Sequence, residues 1–201
     1  MPLRATALNC TLNPSPAESS TELLAQQVLD ELARHDVTGS VVRVVDHDVR
    51  PGVELDMGDG DEWPGIRETI MASDILVLAT PTWLGQHSSV CQRVLERLDA
   101  ELSEKDEEGR LRTYGKVAVG VVVGNEDGAH HISAVLFQSL NDVGFTIPAG
   151  GVTYWNGEAM HGTDYKDLGS TPDTVASTTA TLAANAAHLA KTLATAPYPP
   201  S

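Results

Sequence analysis

The chain has 201 residues, 41% of them hydrophobic, enough to bury one sizeable core and too many for a disordered polymer. Its 28 acidic and 13 basic side chains leave a formal charge of −15, which argues against nucleic acid or an anionic membrane surface as partner, since both are held by clustered Lys and Arg. The two cysteines, Cys10 and Cys91, are too few for a disulfide framework and lack metal-ligand spacing, so packing roles and no metal site are expected.

No secretory pattern follows Met1, and the longest apolar run, Val117 to Val123, is far below the ~20 residues a spanning helix needs. Cytoplasmic residence and no membrane contact are therefore expected. In chain order, Leu3 to Leu8 reads as a first strand, followed by a polar loop from Asn9 to Glu18 that carries Pro14 and Pro16. Ser19, Ser20, Thr21 and Glu22 then form a capping-box pattern, and Leu24, Val28 and Leu32 follow at spacings of four, which predicts a helix. A hydroxyl-rich helix start offers free N–H groups and the positive end of a dipole, so it suits an anion, above all a phosphate.

Val41 to Val45 is the second strand expected, and the acidic, Gly- and Pro-bearing stretch from His47 to Gly60 reads as a loop with a solvated histidine. Weak helical periodicity runs from Trp63 to Ala72. Ile75 to Ala79 is a continuous apolar strand, and after it come Thr80, Pro81, Thr82, Trp83, Leu84, Gly85, Gln86, His87, Ser88 and Ser89. Pro81 is expected to end the strand's pairing, Gly85 to let the backbone turn, and Ser89 with Gln92 to cap a helix reaching Leu102. On that helix Val90, Val94 and Leu98 mark the buried face, with Arg93, Glu96 and Arg97 turned elsewhere.

After a charged surface connection from Ser103 to Arg112, Val117 to Val123 has the unbroken apolar character of a parallel strand buried on both faces. Its loop, Gly124, Asn125, Glu126, Asp127 and Gly128, is flexible and polar. A helix follows with Ile132, Leu136, Leu140 and Val143 inward, and the adjacent His130 and His131 lack the spacing of a helical metal pair. Phe145 to Val152 is expected as a fifth strand, placed at an edge or bulged by Pro148. The connection from Thr153 to Ser170 holds Tyr154, Trp155, Met160 and His161, with Tyr154 and Trp155 expected either to close the substrate side of a site or to cover the edge strand, and a last helix opens at Pro172 and Asp173. Residues 1–196 are expected to form one domain and 197–201 a disordered tail.

Strands and helices alternate throughout, which predicts a parallel sheet between two helical layers, an α/β/α sandwich. In the five-stranded order 2-1-3-4-5, the loops after strands one, three and four meet at one end of the sheet, where such folds bind ligands. A tryptophan among hydroxyls and amides there suits a flat, hydrogen-bonding aromatic molecule.

On the loop ending Ser19, Ser20 and Thr21, the run from Asp74 to Gly85, and the Gly124 loop, the chain resembles the NAD(P)H-dependent FMN reductase family of flavodoxin-like proteins over roughly residues 3 to 152. The resemblance implies that Thr11, Ser19, Ser20 and Thr21 hold the FMN phosphate. It implies that Pro81, Thr82, Trp83, Leu84 and Gly85 border the flavin and ribityl chain, and that Gly124, Asn125, Glu126, Asp127 and Gly128 face its pyrimidine edge. Many relatives carry a basic residue in the first loop, whereas no Arg or Lys stands between Arg4 and Arg34 here, so the phosphate is expected to rest on hydroxyls and amides alone. The same gap leaves no visible clamp for a 2′-phosphate, so NADPH and NADH stand equal as donors.

The function implied is transfer of hydride from nicotinamide to flavin and on to a quinone, free flavin or similar small acceptor, with no protein acid or base required, in a homodimer or homotetramer. The alternatives are an electron carrier of flavodoxin type docking to a protein partner, for which Glu126 and Asp127 supply acidity, and a binding domain of the same fold without flavin. A phosphoacceptor version is excluded, because Thr80 and Pro81 stand where it needs an aspartate.

Overall fold

A computed structural model describes residues 2–158 and 161–200; Met1, Met160 and Ser201, each part of an expectation above, lie outside the described residues. Five parallel strands, β1 (Leu3–Asn9), β2 (Val37–Arg43), β3 (Ile75–Trp83), β5 (Val117–Gly124) and β6 (Val152–Asn156), lie in the order β2-β1-β3-β5-β6. A two-residue strand, β4 (Gln86–His87), folds back antiparallel on the end of β3. Numbering the parallel strands alone gives the expected 2-1-3-4-5.

The central strands β3 and β5 are apolar on both faces because both are covered. Along β3, Ile75, Val77 and Ala79 join the core beneath α1 (Ser20–Ala33) and α5 (Asp173–Thr195), while Leu76 and Leu78 join the core beneath α2 (Trp63–Met71), α3 (Ser89–Leu98) and α4 (Ala129–Asp142). The helix after β1 therefore packs on one face and the helix after β3 on the other. Adjacent strands whose chains depart to opposite faces leave a crevice at their carboxyl ends.

Several local expectations are corrected. The second strand starts at Val37 rather than Val41 and ends in a 3-10 turn, Val44–Asp46. As an edge strand it buries little beyond Val37, so its first half lacks an apolar signal. Pro81 does not end β3, which stays in register with β5 through Pro81 opposite Val123. Ala79 turns its carbonyl to β1, accepting from Cys10 N, so Pro81 two residues on faces the same side, where β1 has already ended and no ladder bond is lost.

The fifth strand is Val152–Asn156, not Phe145–Val152; the earlier segment makes a single bridge, Thr146 to Val117, before Pro148 and its turn. Tyr154 and Trp155 consequently sit on the edge strand rather than in a loop. The cap of α3 is Ser88 rather than Ser89, and the helix gives way at Asp99 to a 3-10 turn. Tyr198, in the stretch expected to be disordered, stacks on Tyr114 with ring centroids 5.4 Å apart.

Arg97 is also corrected, from exposed to fully buried. Its guanidinium pairs with Asp61 at 2.8 Å, donates to the carbonyls of Arg50 and Glu54, and lies 5.5 Å from the Trp63 ring centre. The acidic stretch before α2 is thus fastened to α3 by one cation. Burial by itself would raise the Asp61 carboxyl, but the Met57 amide, Arg97 and the Arg50 and Trp63 amides outweigh it and bring its pKa to about 2.

Replacing Arg97 by Met strands a buried carboxylate and is expected to cost about 3–5 kcal/mol in chemical denaturation. Because the folded pKa of Asp61 lies below its unfolded value of about 4, its contribution is complete above pH about 4 and is lost as pH falls towards about 2. Asp61→Asn should flatten that acid limb of the stability curve; an unchanged limb would show that other carboxylates set it.

Candidate functional site

The first wall of the crevice is the loop after β1. Ser19 caps α1 by accepting from the Glu22 amide at 3.1 Å, as the capping pattern predicts. Glu22 does not complete the box; its carboxylate instead takes Asn9 Nδ2 at 2.8 Å and Arg43 Nε at 2.8 Å. Arg43 also donates to the Ala17 carbonyl at 2.7 Å, and Ser15 bonds Asp46 through both amide and hydroxyl. Those contacts anchor the loop to the end of β2 and leave the first-turn hydroxyls of Ser20 and Thr21 on the crevice.

The second wall is the end of β3 with its hairpin. Leu84 and Gly85 stand at φ of +52° and +73°, the two positive values that a two-residue hairpin turn requires. Glycine meets this freely and leucine does not, and the turn is held by a 2.8 Å bond from Leu84 N to Glu126 Oε1. Behind it, Ser88 Oγ donates to the Cys10 carbonyl at 2.6 Å and accepts from the Cys91 amide at 3.1 Å, while Ser88 N donates to Thr80 Oγ1 at 3.0 Å. The third wall, after β5, lies close against the second: a Cβ on Gly124 would fall 2.6 Å from Thr82 Cβ, so only glycine permits that approach.

Between these walls is an open cleft of about 240 Å³. Nine of the fourteen residues singled out in the sequence line it: Thr11, Ser19, Ser20, Thr21, Pro81, Thr82, Trp83, Gly124 and Asn125. Leu84, Gly85, Glu126, Asp127 and Gly128 do not. Leu84 is the exposed hairpin tip, Gly85 backs onto Gly128, Glu126 ties the tip, and Asp127 accepts from the Gly128 amide at 2.7 Å at the start of α4. These five shape the hairpin rather than the lining.

The remaining lining is Asn13, Glu18, Val123, Trp155, Asp164, Tyr165 and Lys166, of which sequence reasoning reaches Trp155 alone. The last four come from β6 and the segment beyond it, where no periodicity marks them. Tyr165 is buried, its ring 5.6 Å from Trp155 and its hydroxyl donating to Gln27 Oε1 on α1 at 2.6 Å. Lys166 N donates to Ser20 Oγ at 3.2 Å, and Asn125 Nδ2 reaches Asp164 at 3.4 Å, so this segment forms a fourth wall. Lys166 brings a basic side chain to the cleft from outside the first loop, which itself holds no Arg or Lys.

Thr82 is 4% exposed, lines the cleft, and its hydroxyl has no hydrogen-bond partner among the described residues. A buried hydroxyl left unpaired costs about 1–3 kcal/mol, a deficit that a polar ligand removes. With a helix N-terminus and three hydroxyls at one end, Trp83 half exposed at the mouth and close-packed glycine backbone opposite, the lining fits a phosphorylated aromatic ligand such as FMN. No group of three or more His, Cys, Asp or Glu able to hold a metal occurs among the described residues.

Known proteins agree with this geometry. The profile described as NADPH-dependent FMN reductase matches residues 4–159. The chain is 33% identical over 208 aligned positions to 8-demethyl-8-aminoriboflavin-5′-phosphate synthase of Streptomyces davaonensis, covering 98% of this chain and 81% of that protein. A crystal structure of RosB with a bound intermediate, 8-demethyl-8-formylriboflavin-5′-phosphate, superposes with a TM-score of 0.90 at 33% identity over 98% of this chain and 82% of that one. An NADH:FMN oxidoreductase in its apo form shares the fold at a TM-score of 0.62 and 19% identity, covering 94% of this chain and 89% of that one.

The chain is also 40% identical over 172 residues to the divalent metal cation transporter MntH of Mycobacterium bovis, covering 84% of this chain but 25% of that protein, so it spans about a quarter of that relative's length. Among the described residues no helix is long and apolar enough to cross a membrane. The chain belongs to the NADPH-dependent FMN reductase family and has a flavodoxin-like fold.

Proposed function

We propose that the cleft holds FMN and that the protein passes reducing equivalents from a nicotinamide nucleotide to a quinone, a free flavin or a similar small acceptor. The observation that carries this reading is the meeting, at the strand-order reversal, of the α1 N-terminus with an unpartnered buried hydroxyl, Thr82. When bound, the flavin supplies a ring able to take up two electrons as hydride and release them to the acceptor.

The chain's own residues bind and orient. Thr11, Ser19, Ser20 and Thr21 offer hydroxyls and first-turn amides to the phosphate. Thr82 offers the ligand a hydroxyl that has no partner among the described residues. Trp83, 54% exposed, provides a flat apolar shelf at the mouth on which a second planar molecule can stack and which keeps water from that side. Val123 and Trp155 line the cleft with apolar surface. The reading requires no proton at a protein group.

A second reading is favoured by one observation: a relative matched over 98% of this chain is named for making an aminoriboflavin phosphate. Here the flavin phosphate is substrate rather than resident cofactor, held by the same hydroxyls, and the recovered flavin carries a changed mass.

Visible absorption separates the two. Added FMN should shift its bands on binding, bleach with anaerobic NADPH or NADH, and be recovered at unchanged mass. Bound flavin that never bleaches with either nicotinamide but returns with altered mass under turnover would replace the first reading with the second. Trp83→Ala should weaken FMN by about 0.5–1.5 kcal/mol, up to roughly tenfold, as read by flavin fluorescence. Gly124→Ala, whose new Cβ meets Thr82 at 2.6 Å, should cost about 1–3 kcal/mol of stability and loosen FMN; wild-type melting and binding would show that Thr82 moves aside freely.

A further inference from the structure

Lys166 is the one Lys or Arg lining the cleft among the described residues. It is 28% exposed, and its position is set by the backbone rather than by its own charge. The Lys166 amide is hydrogen-bonded to Ser20 Oγ at 3.2 Å, the preceding Tyr165 is buried with its hydroxyl on Gln27, and Gln27 Nε2 also holds Thr171 Oγ1 at 2.9 Å. Two residues of α1 therefore fasten the segment carrying Lys166 beside the helix N-terminus. The other nearby cation, Arg43, is committed to Glu22 and to loop carbonyls.

The Lys166 ammonium now rests on Asp167 Oδ1 at 2.8 Å and near Glu18 Oε2 at 3.8 Å. The Asp167 bond raises its pKa above the ordinary lysine value, so it is charged at neutral pH. Both carboxylates are more than half exposed, their side chains 51% and 85% accessible, so these pairs are screened by water and little is lost in leaving them. Four rotatable methylenes let the ammonium swing from Glu18 to an anion seated on Ser19, Ser20 and Thr21.

We propose that Lys166 is the phosphate-selecting residue of the cleft, the cation that distinguishes a 5′-phosphorylated flavin from an unphosphorylated one; this rests on the flavin reading above. A dianion gains from it what neutral hydroxyls cannot supply, a full opposite charge at hydrogen-bonding distance. The first loop's missing arginine is thus replaced from a segment about 150 residues further along the chain.

The test titrates wild type, Lys166→Met and Lys166→Arg with FMN and with riboflavin, following flavin fluorescence. Wild type should favour FMN. Lys166→Met should lose about tenfold to a hundredfold in FMN affinity with riboflavin unchanged, and Lys166→Arg should keep most of the preference. FMN binding untouched in Lys166→Met, or an equal loss for both flavins, overturns the assignment, the latter by showing that the side chain only supports the wall. Wild type that binds both flavins equally overturns the selectivity and leaves the flavin reading standing. Wild type that binds neither overturns both.

Discussion

The Ser88 hydroxyl bridges the Cys10 carbonyl and the Cys91 amide at the place where the strand order reverses. One atom thereby caps α3, satisfies the last carbonyl before the hydroxyl loop, and sets the distance between the walls on either side of β1 and β3. The residue is 1% exposed, so water cannot replace either bond. Both cysteines are buried beside it, and burial pushes the Cys10 thiol well above its ordinary pKa, with Cys91 adding to the effect. Both lie in the core beneath the cleft, and a raised Cys10 pKa disfavours the thiolate that a nucleophile needs.

The electrostatics of the cleft follow from how an acidic chain disposes of its charge. With a formal charge of −15, an anion would be repelled unless the local field differed from the global one. Beside the α1 N-terminus, Glu22 is bound by Asn9 and Arg43, so it spends its charge on the end of β2. Helix amides, hydroxyls and the Lys166 ammonium line the cleft there, together with two carboxylates, Glu18 and Asp164. Acidic Glu126 is likewise occupied, holding the strained Leu84 turn. Carboxylates that serve as loop fasteners are thus prevented from opposing the ligand.

How much of this was legible in the sequence depended on range. The βα units, the order of the parallel strands and the cap at Ser19 are local or pattern-borne: apolar runs, spacings of four and a hydroxyl before an acidic residue announce themselves. The errors fell where a neighbour decides. Val37 to Ser40 pair only because β1 is there, and Pro81 continues its strand only because β1 has ended. Arg97 looked like a surface residue until Asp61 and two carbonyls were found around it. Charge in a helix is read as solvent-facing by any pattern, and only the tertiary partner reverses that.

The fourth wall was illegible for the same reason, and its location has a consequence. Asp164, Tyr165 and Lys166 reach the cleft because α5 packs along α1 and the segment before it is stapled to Gln27 and Ser20. The family profile stops at residue 159, whereas the match to the aminoriboflavin-phosphate synthase extends over 98% of the chain. The walls after β1, β3 and β5 are therefore the part that the family pattern covers. The wall beyond residue 159 lies outside that pattern and carries Lys166. Changes in that segment can retune the cleft without disturbing the sheet, since they touch α1 through a few side-chain bonds and none of the strand ladders.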